Sequence, residues 1–143
     1  MSPARRRLVI HTDGAARGNP GPAGAGWIIE TPSGEVVTEG WAYLGTLTNN
    51  QAEYEALLRA LMDADPDRDT ELAIYCDSQL VVRQLSGEYR VKDEGLRPRY
   101  EAVLHTLRGA ASVSLSHVPR AQNTRADALA NRAIDQAAPA PRE

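Results

Sequence analysis

The first third of the chain carries short apolar bursts of strand length, and a helical period takes over after them. Leu8 to Ile10 is an apolar run leading to Asp13, so Leu8 to Thr12 reads as a first strand that ends in a carboxylate. A glycine-rich stretch follows, with Gly14, Gly18, Gly21, Gly24 and Gly26, which reads as a loop running into a second strand from Ala25 to Glu30. Thr31-Pro32-Ser33-Gly34 is a turn signal, which makes Val36 to Leu44 the returning arm of a hairpin with Trp41 and Tyr43 on one face. From Asn49 the period changes. Tyr54, Leu57, Leu58 and Leu61 form one helical stripe, broken by the run from Asp63 to Asp69 around Pro66. Leu72 to Cys76 is a continuous apolar run, expected to be a strand buried on both faces. Asp77-Ser78 caps a short helix from Leu80 to Leu85 that Ser86-Gly87 stops.

Glu88 to Arg97 is polar and loop-like. Pro98 opens a helix striped by Tyr100, Val103, Leu104 and Leu107 and ended by Gly109. Val113 to Val118 is a last strand. A final helix from Asn123 places Ala126, Leu129, Ala130, Ala133, Ile134 and Ala137 on one face. Early hairpins followed by helical crossovers imply a mixed sheet covered by helices. Residues 1–143 read as one domain, with 1–6 and 138–143 as flexible tails.

Composition leaves this picture intact: 42% of residues are hydrophobic and 24% charged, with no apolar run of bilayer-spanning length and no secretory pattern. A single cysteine, Cys76, forms no internal disulfide and no cysteine-based metal cluster, which fits a reducing, cytoplasmic setting. The net charge of −3 argues against bulk electrostatic capture of nucleic acid. All basic residues but Lys92 are arginine, the better fork for phosphate.

Four acids change the picture. Asp13 and Asp77 each follow a buried strand. If those strands are parallel neighbours, the two carboxylates meet at the sheet edge where open α/β sheets place ligands. Glu53 and Asp127 fall in first helical turns, where each also fits a capping box, Asn50 with Glu53 and Thr124 with Asp127. Taken singly, capping explains them. Four clustered carboxylates would instead demand hard cations, and Mg²⁺ or Mn²⁺ suits an all-oxygen donor set.

TDGAARGNPGPAGAG, TNNQAEYEALLRAL, YCDSQLVV and NTRADALANRA, in that order, resemble the four blocks of type 1 ribonuclease H, over roughly Leu8 to Ile134. The resemblance implies a ribonuclease H-like α/β fold, a five-stranded mixed sheet flanked by helices on both faces. It implies an endonuclease that hydrolyses the RNA strand of RNA/DNA hybrids with two metal ions, leaving 5′-phosphate and 3′-hydroxyl ends. Asp13, Glu53, Asp77 and Asp127 would be the catalytic and metal-binding acids. Asp13 would bridge two ions, Asp127 would complete one site, and Glu53 with Asp77 the other. One ion would activate the attacking water and the other would stabilise the leaving oxygen. Setting four metal-bound acids aside turns −3 into +1, and local arginines can then supply phosphate contacts.

By the same resemblance Asn19, Asn49 and Asn50, with the Gly14 backbone, would contact the minor groove and test for a 2′-hydroxyl. Thr48 and Asn123 match positions of a pocket for a DNA-strand phosphate. Singly, Asn19 is also a turn residue and Asn49 and Asn50 are helix caps. Two departures stand out. The basic helical protrusion of many members is replaced by a short segment, Gly87 to Pro98, of mixed charge. Weaker, salt-sensitive hybrid binding is therefore expected, helped by Arg5 to Arg7. Aligned without a gap, His117 fills the place of the family's mobile histidine. SHVPRAQN also resembles the shorter-loop form that lacks it, with Arg120 as nearest substitute, and this second reading is favoured. His11 and His105 read as structural.

A dinucleotide fold is excluded because the loop opens a strand and lacks the third glycine, and a P-loop because no Gly-Lys-Ser/Thr is present. Two other classes compete: a non-catalytic hybrid-binding module, which has no use for four acids, and a duplex-DNA nuclease on the same sheet, which the asparagines disfavour. No obligate protein partner is evident, no membrane is implicated, and a monomer is expected.

Overall fold

The computed structural model describes residues 6–137, so the segments 1–5 and 138–143 of the expected tails lie outside the described residues. The sheet runs in the order β3-β2-β1-β4-β5, with β1 Arg6–Ala16, β2 Gly21–Glu30, β3 Val36–Leu47, β4 Thr70–Cys76 and β5 Ser112–His117. β1 to β3 are antiparallel, and β4 and β5 join parallel to β1. The crossovers are α1 (Asn49–Ala64), then α2 (Gln79–Leu85) and α3 (Arg97–Arg108); α4 (Thr124–Ala137) follows β5.

Arg6 is part of β1 and not of a tail. Its guanidinium donates to the carbonyls of Ala64 and Asp65 and to Thr70 Oγ1, satisfying the end of α1. α1 and α3 cover one face, where Ile10, Ile29, Tyr54, Leu57, Leu61, Ile74 and Val103 are fully buried. Each such aliphatic side chain contributes about 1.5–3 kcal/mol by leaving water. The Tyr54 hydroxyl donates to Gln84 Oε1 at 2.6 Å, so α2 is pinned to α1 through a buried polar pair.

α4 lies on the opposite face over β1, β2 and β3. It sits close because β2 offers glycine beneath it: a Cβ on Gly26 would collide with the Ala126 carbonyl, and one on Gly24 with that of Ala130. The glycines read from sequence as a loop are therefore mostly strand, since this register gives α4 a flat floor. α4 stops short of β4, and that strand alternates: Leu72, Ile74 and Cys76 are buried, Ala73 and Tyr75 half-buried. This corrects the expected burial on both faces. The polar segment after α2 is likewise anchored, by buried Val91 and Leu96.

Candidate active site

The β1–β4 ladder ends at Thr12–Cys76, but β1 continues against β2 as far as Ala16. Asp13 is therefore mid-strand, and what ends beside it is its neighbour. The next residue of that neighbour is Asp77, so the parallel register brings the two acids together.

Past Thr12 the freed flank of β1 is taken over by the start of α1. Gly14 N donates to Glu53 Oε1, and Ala16 N donates to Asn49 Oδ1 at 3.1 Å. A Cβ on Gly14 would collide with the backbone of Ala52 and Glu53, so only glycine lets the helix approach this closely. The capping box of α1 is Thr48 with Gln51: Gln51 N donates to Thr48 Oγ1 at 3.2 Å, and Thr48 N to Gln51 Oε1 at 3.0 Å. The Asn50–Glu53 box is thus replaced, and Glu53 is left for the cleft. In α4 the Asp127 N–H donates to the Asn123 carbonyl, while the Asp127 carboxylate accepts from Asn131 Nδ2 at 3.2 Å. Thr124 is the first helical residue and does not cap with it.

Asp13, Glu53 and Asp77 each present an oxygen within 4.8 Å of the others. Asp127 stands beside this trio, against Asp13, on the fourth side of a cleft of about 560 Å³. Burial, then the charges of Glu53, Asp77 and Asp127, push the Asp13 carboxyl far above the ordinary range. Burial and Asp77 raise Glu53 as well, against the lowering effect of the Gly14 N–H. Burial pushes the neighbouring Cys76 thiol up to about 12, which makes it an inert strand residue. Facing this charge is Arg120, 3.7 Å from Asp127 Oδ1 with its side chain 81% exposed, too solvated to compensate it. A crowded all-carboxylate donor set, buried at Asp13 and half-buried at Glu53 and Asp77, fits hard divalent ions.

The rim of the cleft holds Gly14, Asn49 and Asn50 from the expected substrate set. Asn19 sits at the hairpin tip, where its Oδ1 accepts from Asn49 N at 3.1 Å and ties the tip to α1. Thr48 and Asn123 do not share a pocket. Asn123 is buried, and its Nδ2 donates to the Thr12 carbonyl at 2.9 Å, holding the start of α4 to β1. His117 closes β5 opposite Cys76 and is absent from the cleft lining, whereas Arg120 is part of it. Arg120 is carried there by a 3-10 turn, Arg120–Gln122, that the sequence pattern does not signal. His11 pairs with Glu30 at 3.1 Å and stacks on Tyr75, a structural role, and His105 is exposed on α3. Arg6 and Arg7 lie at the opposite end of β1 from Asp13, about 20 Å away at strand rise, and cannot serve this cleft. Arg17, Ser78 and Asn131 line the cleft without having been singled out. Asn131 had one available signal, its place one helical turn after Asp127.

A family model described as reverse transcriptase-like matches residues 11–133. A ribonuclease H of Verminephrobacter eiseniae is 34% identical over 92% of this chain and 92% of its own length. The chain belongs to the type 1 ribonuclease H family. Ribonuclease HI of Halobacterium salinarum is 46% identical over 92% of this chain, and this chain spans 66% of that protein. A bifunctional protein of Mycobacterium tuberculosis is 43% identical, and the chain spans 36% of it. The chain thus covers less than two thirds of the length of these last two relatives. Among solved structures, the Halobacterium salinarum RNase H1 superposes with a TM-score of 0.86 at 45% identity, covering 91% of this chain and 98% of that one. LC11-RNase H1 in complex with RNA/DNA hybrid gives 0.86 at 44% identity, with the same coverage. The five-stranded ribonuclease H-like fold and the family expected from the four sequence blocks are borne out.

Proposed function

We propose that this ribonuclease H family member is an endonuclease that cuts the RNA strand of RNA/DNA hybrids, using Mg²⁺ or Mn²⁺. The observation that carries the reading is the meeting of Asp13, Glu53 and Asp77, with Asp127 beside them, at the sheet edge. A relative of the same fold crystallised with RNA/DNA hybrid supports the substrate. Asp13, Glu53, Asp77 and Asp127 would hold the ions. When bound, such ions supply a water activated near neutral pH and offset charge on the phosphate, leaving 5′-phosphate and 3′-hydroxyl ends.

The protein's own part is alignment. The Gly14 to Ala16 backbone is a side-chain-poor floor for the RNA strand, and Asn49 and Asn50 project from the start of α1 to test sugar hydroxyls. Asn19 supports that wall from the hairpin tip. Thr48, half-buried, acts as a helix cap, and Asn123, buried, as the tie between α4 and β1. We assign to Arg120, rather than His117, the approach to the phosphate under attack, and its position 3.7 Å from Asp127 Oδ1 supports this. No described helix is long and apolar enough to cross a membrane. We take the protein to act as a monomer in the cytoplasm without an obligate partner.

The test is a panel of labelled RNA/DNA hybrid, double-stranded RNA, single-stranded RNA and duplex DNA, each with Mg²⁺, Mn²⁺ or EDTA. Metal-dependent cutting of the hybrid alone, abolished in Asp77→Asn, supports the reading. Hybrid left intact under both metals would falsify it.

A further inference from the structure

Asp127 differs from the other three acids in how it is held. Asp13 is fixed by the sheet, Asp77 by the end of β4, and Glu53 by the Gly14 N–H. Asp127 sits on an exposed helical face with its side chain 30% accessible, outside the close trio. A carboxylate there swings between rotamers unless something orients it.

Arg120 stands 3.7 Å from it and Asp13 faces it, and the side chain that hydrogen-bonds it from its own helix is Asn131, one turn further along α4. The Asn131 amide donates both to the Asp127 carbonyl at 3.0 Å and to Asp127 Oδ1 at 3.2 Å. The Asn131 Oδ1 in turn accepts from Arg17 Nη2 at 3.3 Å, and the same nitrogen lies 2.7 Å from Asp135 Oδ1. Asp127, Asn131 and Asp135 form an i, i+4, i+8 stripe on α4, and Arg17 reaches across from the β1–β2 hairpin to bind its second half. With donors and acceptor all engaged, the Asn131 amide has one orientation open to it. It donates to Oδ1 of Asp127, the oxygen that Arg120 also approaches, and so fixes the plane of the carboxylate. The hairpin tip that carries Arg17 is also the one Asn19 fastens to α1, so one loop braces both helices that bring acids to the site.

We propose that Asn131, oriented by Arg17, is the positioning residue that presents the Asp127 carboxylate to a divalent cation. The proposal rests on the metal-binding reading of the four acids above. Its signature is weaker divalent-cation binding measured without nucleic acid, because Asn131 acts through Asp127. Outer hydrogen-bond partners of metal ligands are worth about 10–100-fold in metal affinity, and the lower end is expected for this partly exposed pair.

The experiment titrates Mn²⁺ into the metal-free full-length protein by calorimetry, without nucleic acid. Wild type is compared with Asn131→Leu, Arg17→Ala, the double variant and Asp127→Asn. Asn131→Leu, close to isosteric, is expected to raise the Mn²⁺ Kd about tenfold, Arg17→Ala by less, and the double variant by no more than Asn131→Leu alone. In turnover assays of Asn131→Leu, kcat at limiting Mg²⁺ falls and recovers at high Mg²⁺. Arg17→Ala alters an exposed side chain, so it carries the test even if Asn131→Leu folds poorly. Wild-type Mn²⁺ affinity in both single variants overturns the proposal and leaves the nuclease assignment standing, as does additive loss in the double variant. Absence of Mn²⁺ binding by the wild type removes both.

Discussion

Asp13→Asn should make the metal-free protein more stable, although it removes the central acid of the site. Asp13 is only 4% exposed and shares its surroundings with Glu53, Asp77 and Asp127. Its carboxyl is pushed up to about 10 from an ordinary 3.8, so between those values the folded state binds a proton that the unfolded chain has released. Stability of the metal-free protein therefore falls as pH rises through that window, the reverse of a salt-bridged carboxylate. At about 1.4 kcal/mol per pH unit, the four or so units between the ordinary value and pH 8 set a ceiling of about 6 kcal/mol. Proton sharing with Glu53 and water in the open cleft bring the expected gain to about 2 kcal/mol, or about 6 °C in Tm for a domain of this size. The measurement is thermal unfolding in EDTA at pH 4 and pH 8, for wild type and variant. The gain should appear at pH 8 and vanish at pH 4, and Mg²⁺ should stabilise only the wild type. A variant no more stable than wild type at pH 8, or equally stabilised at both pH values, would refute the idea that charge crowding dominates this cleft.

Gly14→Ala drives a Cβ into the Ala52–Glu53 backbone and should cost about 1–3 kcal/mol by denaturant unfolding. Because it displaces Glu53, kcat should fall about 100-fold, whereas retained activity would show that α1 can shift freely. Arg120→Ala should lower kcat about tenfold while His117→Ala leaves it unchanged, and the opposite ranking in single-turnover assays would return the role to His117. Tyr54→Phe strands the buried Gln84 Oε1 and should cost about 1–3 kcal/mol without altering KM for hybrid, read from urea unfolding and steady-state kinetics. The segment after α2 is short and mixed in charge, so hybrid Kd should weaken steeply between low and physiological salt, and a flat salt titration would contradict this.

Most of the elements, their order and the four acids were legible from local pattern. Apolar spacing marks the faces of α1, α3 and α4, and turn chemistry marks the β2–β3 hairpin, because both depend on residues a few positions apart. The four candidate acids came from their places at strand ends and first helical turns and from the resemblance of four sequence blocks to type 1 ribonuclease H, none of which needs knowledge of contacts. Three things were not readable, each because it depends on what lies across the sheet. The glycines of β2 read as loop because their role is to receive the backbone of α4, a partner about 100 residues later. The caps of α1 and α4 were misread because several residues could serve, and only the approach of Gly14 to Glu53 and of Asn131 to Asp127 decides which carboxylates stay free. The Asn131–Arg17 brace joins residues 114 positions apart, and neither carries a local mark of its partner. Sequence alone thus determined the acids and the strands and helices that carry them. Tertiary structure decided how closely they meet and what holds each in place, since close approach is a property of packed backbones and not of spacing along the chain.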